Sequence, residues 1–166
     1  MSEPIPNQIN SPWWKKRWIQ NVCLVILGII GVNIIVYLDV RSRAKESFLE
    51  GEKYFHWSSH PEEKKKYFEM ELEKGKKEVE ELFKKGKLPP DQYRQRLDAL
   101  QFNYDFHMSE SSLKYAYQWY KDTYELFSPP ESKWVKMARK KALTTLELWK
   151  EELRAQKIPF EDYMFE

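Results

Sequence analysis

The chain has 166 residues, with 28 Lys and Arg against 26 Asp and Glu, a net charge of +2, and 16% aromatic residues. So even a balance lacks the basic excess that phosphate backbones select, which excludes nucleic acid as a partner. The single cysteine, Cys23, rules out an intrachain disulfide, and the five glycines form no phosphate-cradling loop.

Residues 1–18 form a tail and interfacial anchor. "MSEPIPNQINSP" carries Pro4, Pro6 and Pro12, one acid and no arginine, unlike a cleaved amphipathic organelle presequence. "WWKKRW" then brings Trp13, Trp14, Lys15, Lys16, Arg17 and Trp18 to the edge of an uncharged stretch. Together with Tyr37 at the far end, these are the residue types that settle at membrane interfaces.

Residues 19–38 are read as a transmembrane helix. Twenty residues at ~1.5 Å each cover about 30 Å, the hydrocarbon thickness of a bilayer. A cleaved signal would have a shorter apolar region followed by small residues, whereas this one runs into "YLDVRSRAKE". The expectation is a signal-anchored, single-pass protein. Within the span Asn21 and Gly28 fall within about 20° on a helical wheel and Gly31 lies ~60° further round, a face that admits another helix closely. Asn33 lies on a different side, where its amide is expected to find an interhelical partner or to face a cavity.

Residues 39–58 continue the helix, with Val40, Ala44, Phe48, Gly51 and Phe55 along one side, as a rigid extension to about Trp57. "SSHPEE" breaks it, and Ser59 with Glu62 reads as a capping box opening a second helix. The extramembrane domain, residues 59–157, then holds four amphipathic helices. The second helix of the chain carries Phe68, Leu72, Val79, Leu82 and Phe83 and stops at Gly86. The third follows "LPPD" with Tyr93, Leu97, Leu100 and Tyr104. A fourth starts near Ser109 with Leu113, Ala116, Tyr117, Tyr120 and Tyr124 in line. Ser128 and Glu131 are read as a second capping box for a fifth, whose stripe is Trp134 or Val135, Ala138, Ala142, Thr145 or Leu146, Trp149 and Leu153. Residues 158–166 form an aromatic tail. With no period-two stretch long enough for a strand, the predicted fold is all-α: a membrane helix continuing into a rod, then about four packed helices.

The last two helices, "SSLKYAYQWYKDTYELFSPPESKWVKMARKKALTTLELW", resemble a tetratricopeptide-type hairpin. Val135, Ala138, Ala142, Thr145 and Leu146 stand where that family places its small and aromatic packing residues. The usual first-helix glycine is missing and the double proline departs from the family's turn. The resemblance implies a scaffold rather than a catalyst.

Chemistry-bearing motifs are scarce. His56 and His60 share a spacing of four, but Pro61 breaks the helix between them and the next turn, and only Glu52 stands near as a third ligand. They are read as solvated loop histidines, and His107 as a surface or interface residue. No metal, cofactor, small-molecule substrate or catalytic residue is inferred. The aromatics are more telling: 22 of them fall among the 128 residues beyond the span, where 25 basic and 25 acidic residues balance. Tyr117, Trp119, Tyr120, Phe160, Tyr163, Met164 and Phe165 are expected to contact partners.

Cations flank the span on both sides, Lys15, Lys16 and Arg17 before it and Arg41, Arg43, Lys45 and Lys53 after it. The contiguous run favours the N-terminus inside (matrix or cytoplasm) and the domain outside (intermembrane space or periplasm). The functional expectation is a non-catalytic, supernumerary subunit of an energy-converting complex in the mitochondrial inner membrane, with other membrane subunits and the lipid bilayer as partners. The alternative is a membrane-anchored, tetratricopeptide-like adaptor in the bacterial periplasm.

Overall fold

A computed structural model describes residues 17–165. It has five helices, α1 (Arg17–Ser59), α2 (Pro61–Lys84), α3 (Pro90–Ser109), α4 (Ser112–Leu126) and α5 (Lys133–Ala155), and a 3-10 turn at Asp162–Phe165. There is no strand among the described residues, so the all-α reading holds.

α1 is one unbroken helix of 43 residues, about 65 Å long. Its first half has a mean hydropathy of 2.5 with none of that stretch covered by the rest of the chain, and it could cross a membrane by length and composition. Its second half buries Ala44, Ser47, Phe48, Gly51 and Trp57. One helix is thus lipid-like outside at one end and core at the other.

Both capping boxes are corrected. α1 runs through Ser59, and His60 precedes α2 with Pro61 in the first turn and no side-chain cap. A proline disfavours helical conformation in the residue before it, so the break falls on His60 rather than Ser59. The same rule keeps Ser128 and Pro129 out of a helix, and α5 begins only after Ser132, whose hydroxyl accepts from the Val135 amide at 3.4 Å. α4 is capped by Ser111, accepting from the Lys114 amide at 3.2 Å, two residues beyond the expected start. Gly86 does end the second helix: at φ +66° it lets its own amide reach the Phe83 carbonyl and that of Lys87 reach Leu82.

α1, α4 and α5 pack into a three-helix bundle. Its core is Phe48, Ala116, Tyr117, Tyr120, Ala138 and Ala142, flanked by Trp134, Leu146 and Trp149. α4 is antiparallel to α1: Ser47 meets Thr123, Gly51 meets Tyr120, and Tyr54 stacks on Tyr115 at 5.2 Å.

α2 and α3 form a separate antiparallel hairpin. Phe68, Leu72, Gly75, Val79 and Leu82 on α2 face Tyr93, Leu97, Leu100, Tyr104 and His107 on α3, both at alternating spacings of four and three. That rhythm is the seam of a two-stranded coil. Phe68 stacks on His107 at 4.6 Å at one end, and Phe83 on Tyr93 at 4.5 Å at the other. The hairpin joins the bundle through a short contact of α2 with α1, so it stands off as an arm.

Two glycines mark the closest approaches and predict opposite behaviour. A Cβ at Gly51 would lie 2.7 Å from the Tyr120 ring, whereas one at Gly75 would meet the mobile end of Leu100 at 2.8 Å. Gly51→Ala is therefore expected to lower the stability of the full chain in detergent by about 1–2 kcal/mol, because overpacking outweighs the gain in helix propensity. Gly75→Ala is expected to be neutral or stabilising by about 0.5 kcal/mol. Thermal melts followed by circular dichroism separate the two, and equal losses would contradict the packing described for Tyr120.

Candidate functional site

Where the bundle is tightest, three helices share one carboxylate. Glu52 on α1 accepts from the Tyr120 hydroxyl at 2.6 Å, and both its carboxylate oxygens accept from the Lys141 ammonium, at 2.5 and 2.6 Å. Lys141 also lies within 6 Å of the rings of Phe48, Phe55 and Tyr120, an arrangement that favours a cation over aromatic faces. One turn closer to the apolar span, the Ser47 and Thr123 hydroxyls lie 2.8 Å apart and both reach the Trp119 carbonyl. These contacts link the three helices and hold the domain together.

A second polar node fastens the arm. Lys64, at the start of α2, is only 5% exposed, and its ammonium donates to the Glu110 carbonyl at 2.7 Å. Burial lowers its pKa, while the charges of Glu110 and Glu152 pull the other way. Beside it Ser111 donates to Glu152 at 2.5 Å and Lys114 pairs with Glu110 at 2.5 Å. The node gathers the start of α2, the α3–α4 connection and the end of α5.

The histidines at the helix break stack on each other at 4.2 Å, and His56 Nε2 lies 3.1 Å from Glu63 rather than near Glu52. Among the described residues no three His, Cys, Asp or Glu side chains are grouped to hold a metal.

The residues expected to pack in the membrane are uncovered. Asn21, Gly28 and Asn33 are exposed and Gly31 nearly so, and a Cβ at either glycine would meet nothing within 4 Å. Asn33 differs from expectation in one respect: its amide donates to the Ile29 carbonyl at 2.8 Å, within its own helix. Among the interfacial residues Arg17 and Trp18 open α1 and Tyr37 is exposed near the end of the apolar stretch, whereas Trp13, Trp14, Lys15 and Lys16 lie outside the described residues.

The expected partner contacts divide. Tyr117 and Tyr120 are corrected to core residues, because they lie on the inner stripe of α4 and are buried. Phe165 is corrected likewise: it packs edge-on against Trp149 at 5.0 Å, and its carbonyl accepts from the Tyr117 hydroxyl at 2.7 Å. The tail therefore completes the bundle's own core, with Phe160 packed on Phe165 at 5.5 Å. Tyr163 and Met164 remain exposed, and Trp119 half-lines a groove with Arg43, Leu49, Leu126 and Phe127.

Two exposed aromatics stand outside the expected contact residues. Phe102, 68% exposed, and Phe106 lie one turn apart on α3 with rings 6.4 Å apart. Each follows a seam residue, Leu100 or Tyr104, by two positions, about 200° round the helix. Their position was readable as the outer face, once the seam was taken as the only covered side.

Two measurements check these assignments. Burial, then the hydrogen bond and charge of Glu52, raise the Tyr120 pKa above its ordinary 10.0, and burial first also raises Tyr54, Tyr117 and Tyr124. A folded pKa above the unfolded one contributes stability present below pH ~10 and lost as pH rises through the folded value. Stability is therefore expected to fall above pH ~10, and Tyr120→Phe should make that fall shallower in melts taken across the range. Phe165→Ala should lower stability by about 3 kcal/mol, whereas an unchanged melting temperature would return the tail to the surface.

No protein-family model, curated protein or solved structure matches the chain, so neither the tetratricopeptide resemblance nor any other family assignment gains support.

Proposed function

We propose that the chain is a non-catalytic accessory subunit of a multi-subunit membrane complex. It would contribute one membrane helix and an extramembrane clamp. The observation that carries this reading is the division within α1, whose apolar half is wholly uncovered while its other half is locked into the bundle. A helix so divided holds a folded domain at a set distance and angle from the bilayer.

The arm supports the same reading. No residue of α3 is fully buried, and a two-helix layer leaves its outer faces open. Phe102 and Phe106 on that face, with Met70 exposed on α2, are anchors suited to a neighbouring subunit. The energy-converting complex of the mitochondrial inner membrane, with the domain in the intermembrane space, is the setting we favour. It rests on the single span, the charge-balanced aromatic domain and the absence of a catalytic motif in the sequence.

Purification in mild detergent is the test, and a stoichiometric set of co-purifying membrane proteins is the expected result. Gly28→Leu and, separately, Phe102→Glu with Phe106→Glu should each reduce recovery of partners about tenfold while helix content is retained. A monodisperse monomer that captures short peptides would overturn the proposal in favour of an adaptor.

A further inference from the structure

Because α1 passes without a break from the apolar stretch into the bundle, the height of each bundle residue above that stretch can be counted along one axis. Taking Leu38 as the last apolar residue, Arg41 and Lys45 stand about 5 and 10 Å beyond it. The headgroup layer occupies roughly 5–8 Å on each side of the hydrocarbon core. Both cations therefore belong to that layer or its outer edge.

The other two helices bring further residues to this end of the bundle. In the antiparallel register of α4, Leu126 and Phe127 come opposite Arg43, with which they line one groove. α5 runs parallel to α1, with Lys141 beside Glu52 and the Trp134 ring 5.5 Å from Phe48. Lys133 thus starts level with Ala44 to Ser47, about 9–14 Å beyond Leu38, and Lys136 stands one turn farther out, both within reach of the headgroup layer only through their long side chains.

Charge at this end is one-sided. "KWVKMARKK", Lys133–Lys141, holds five cations and no acid. The nearby carboxylates are taken up: Asp39 by Arg43 and Glu131 by Arg139, each at 2.8 Å, and Glu125 by Lys121 at 3.9 Å. Glu46, near the Ser42 hydroxyl, and Asp122, which lines the groove with Arg43 and Leu126, stand against them. Among the described residues, no ion pair is made by Arg41, Lys45, Lys133 or Lys136. Beside Arg43, where α4 ends before the turn into α5, protrudes Leu126, 69% exposed.

We propose that Arg41, Lys45, Lys133 and Lys136 form a collar that binds anionic phospholipid headgroups of the bilayer α1 enters, with Leu126 inserted among them. The inference rests on the spanning reading of α1. The occupant follows from complementarity and continuity: unpaired cations meet a negatively charged surface, and long basic side chains extend towards it over apolar stems. The bundle then touches the membrane at a second point, which stops α1 from tilting freely.

The full chain carrying Cys23→Ser and Leu126→Cys is labelled with a fluorophore at residue 126 and reconstituted into vesicles containing brominated lipid. One set is phosphatidylcholine alone, the other phosphatidylcholine with phosphatidylglycerol. Quenching about twofold stronger in the anionic vesicles is expected. It should be lost at high salt and in either Lys133→Glu with Lys136→Glu or Arg41→Glu with Lys45→Glu, two pairs on different helices. Quenching that is equal in both vesicles, or indifferent to both charge reversals, overturns the collar while the chain stays carbonate-resistant. Extraction by carbonate would instead overturn the spanning reading, and the collar with it.

Discussion

Tyr120 crosses α1 at Gly51, where the absence of a Cβ lets an aromatic ring lie against helix backbone. Every other feature of the bundle is arranged around that approach. The hydroxyl at the end of the ring reaches Glu52, which brings Lys141 and hence α5 into place. Small residues at Ala44, Ala116, Ala138 and Ala142 keep the neighbouring helices equally close. The interaxial spacing is short because the side chains at the crossings are small, and the aromatic rings fill the space between crossings.

The consequence for the end next to the apolar stretch is mechanical. A bundle built on the second half of a helix transmits its position to the first half with no hinge between them. Neither proline nor glycine interrupts α1 between Val32 and Phe48, the stretch that passes from apolar surface to core. The domain's orientation to the apolar half of α1 is therefore a property of the fold and not of a linker. The arm differs, since its seam has Val79 as its single buried residue among half-covered neighbours and its attachment runs through Lys64 and the short α1–α2 contact. The molecule is thus stiff at its base and open at the tip of its arm.

Polar chemistry is spent on the same purpose. Tyr117 binds the Phe165 carbonyl of the tail, Lys64 the end of α3, and Ser47 with Thr123 the α1–α4 crossing. Each satisfies a group that burial would otherwise leave unpaired. The surface ion pairs along α2, such as Glu80 with Lys84 and Glu81 with Lys85, contribute little beyond solubility.

Local pattern sufficed for the helices themselves. The spacing of Val40, Ala44, Phe48 and Gly51, the stripe of α5, the stop at Gly86 and the apolar run to Leu38 are one-dimensional signals, since helical periodicity depends on the residue order alone. The sequence by itself determined five helices and one uncovered apolar segment. It did not determine the caps at Pro61 and Pro129, where a backbone clash outranked side-chain capping, and it assigned Tyr117, Tyr120 and Phe165 to partners. Only the tertiary structure decided those, because a stripe shows which side of a helix is buried but not by what. Whether an aromatic ring meets its own chain or another depends on how distant helices close on one another, and that is set by contacts such as Gly51 with Tyr120 that have no signature in either segment alone.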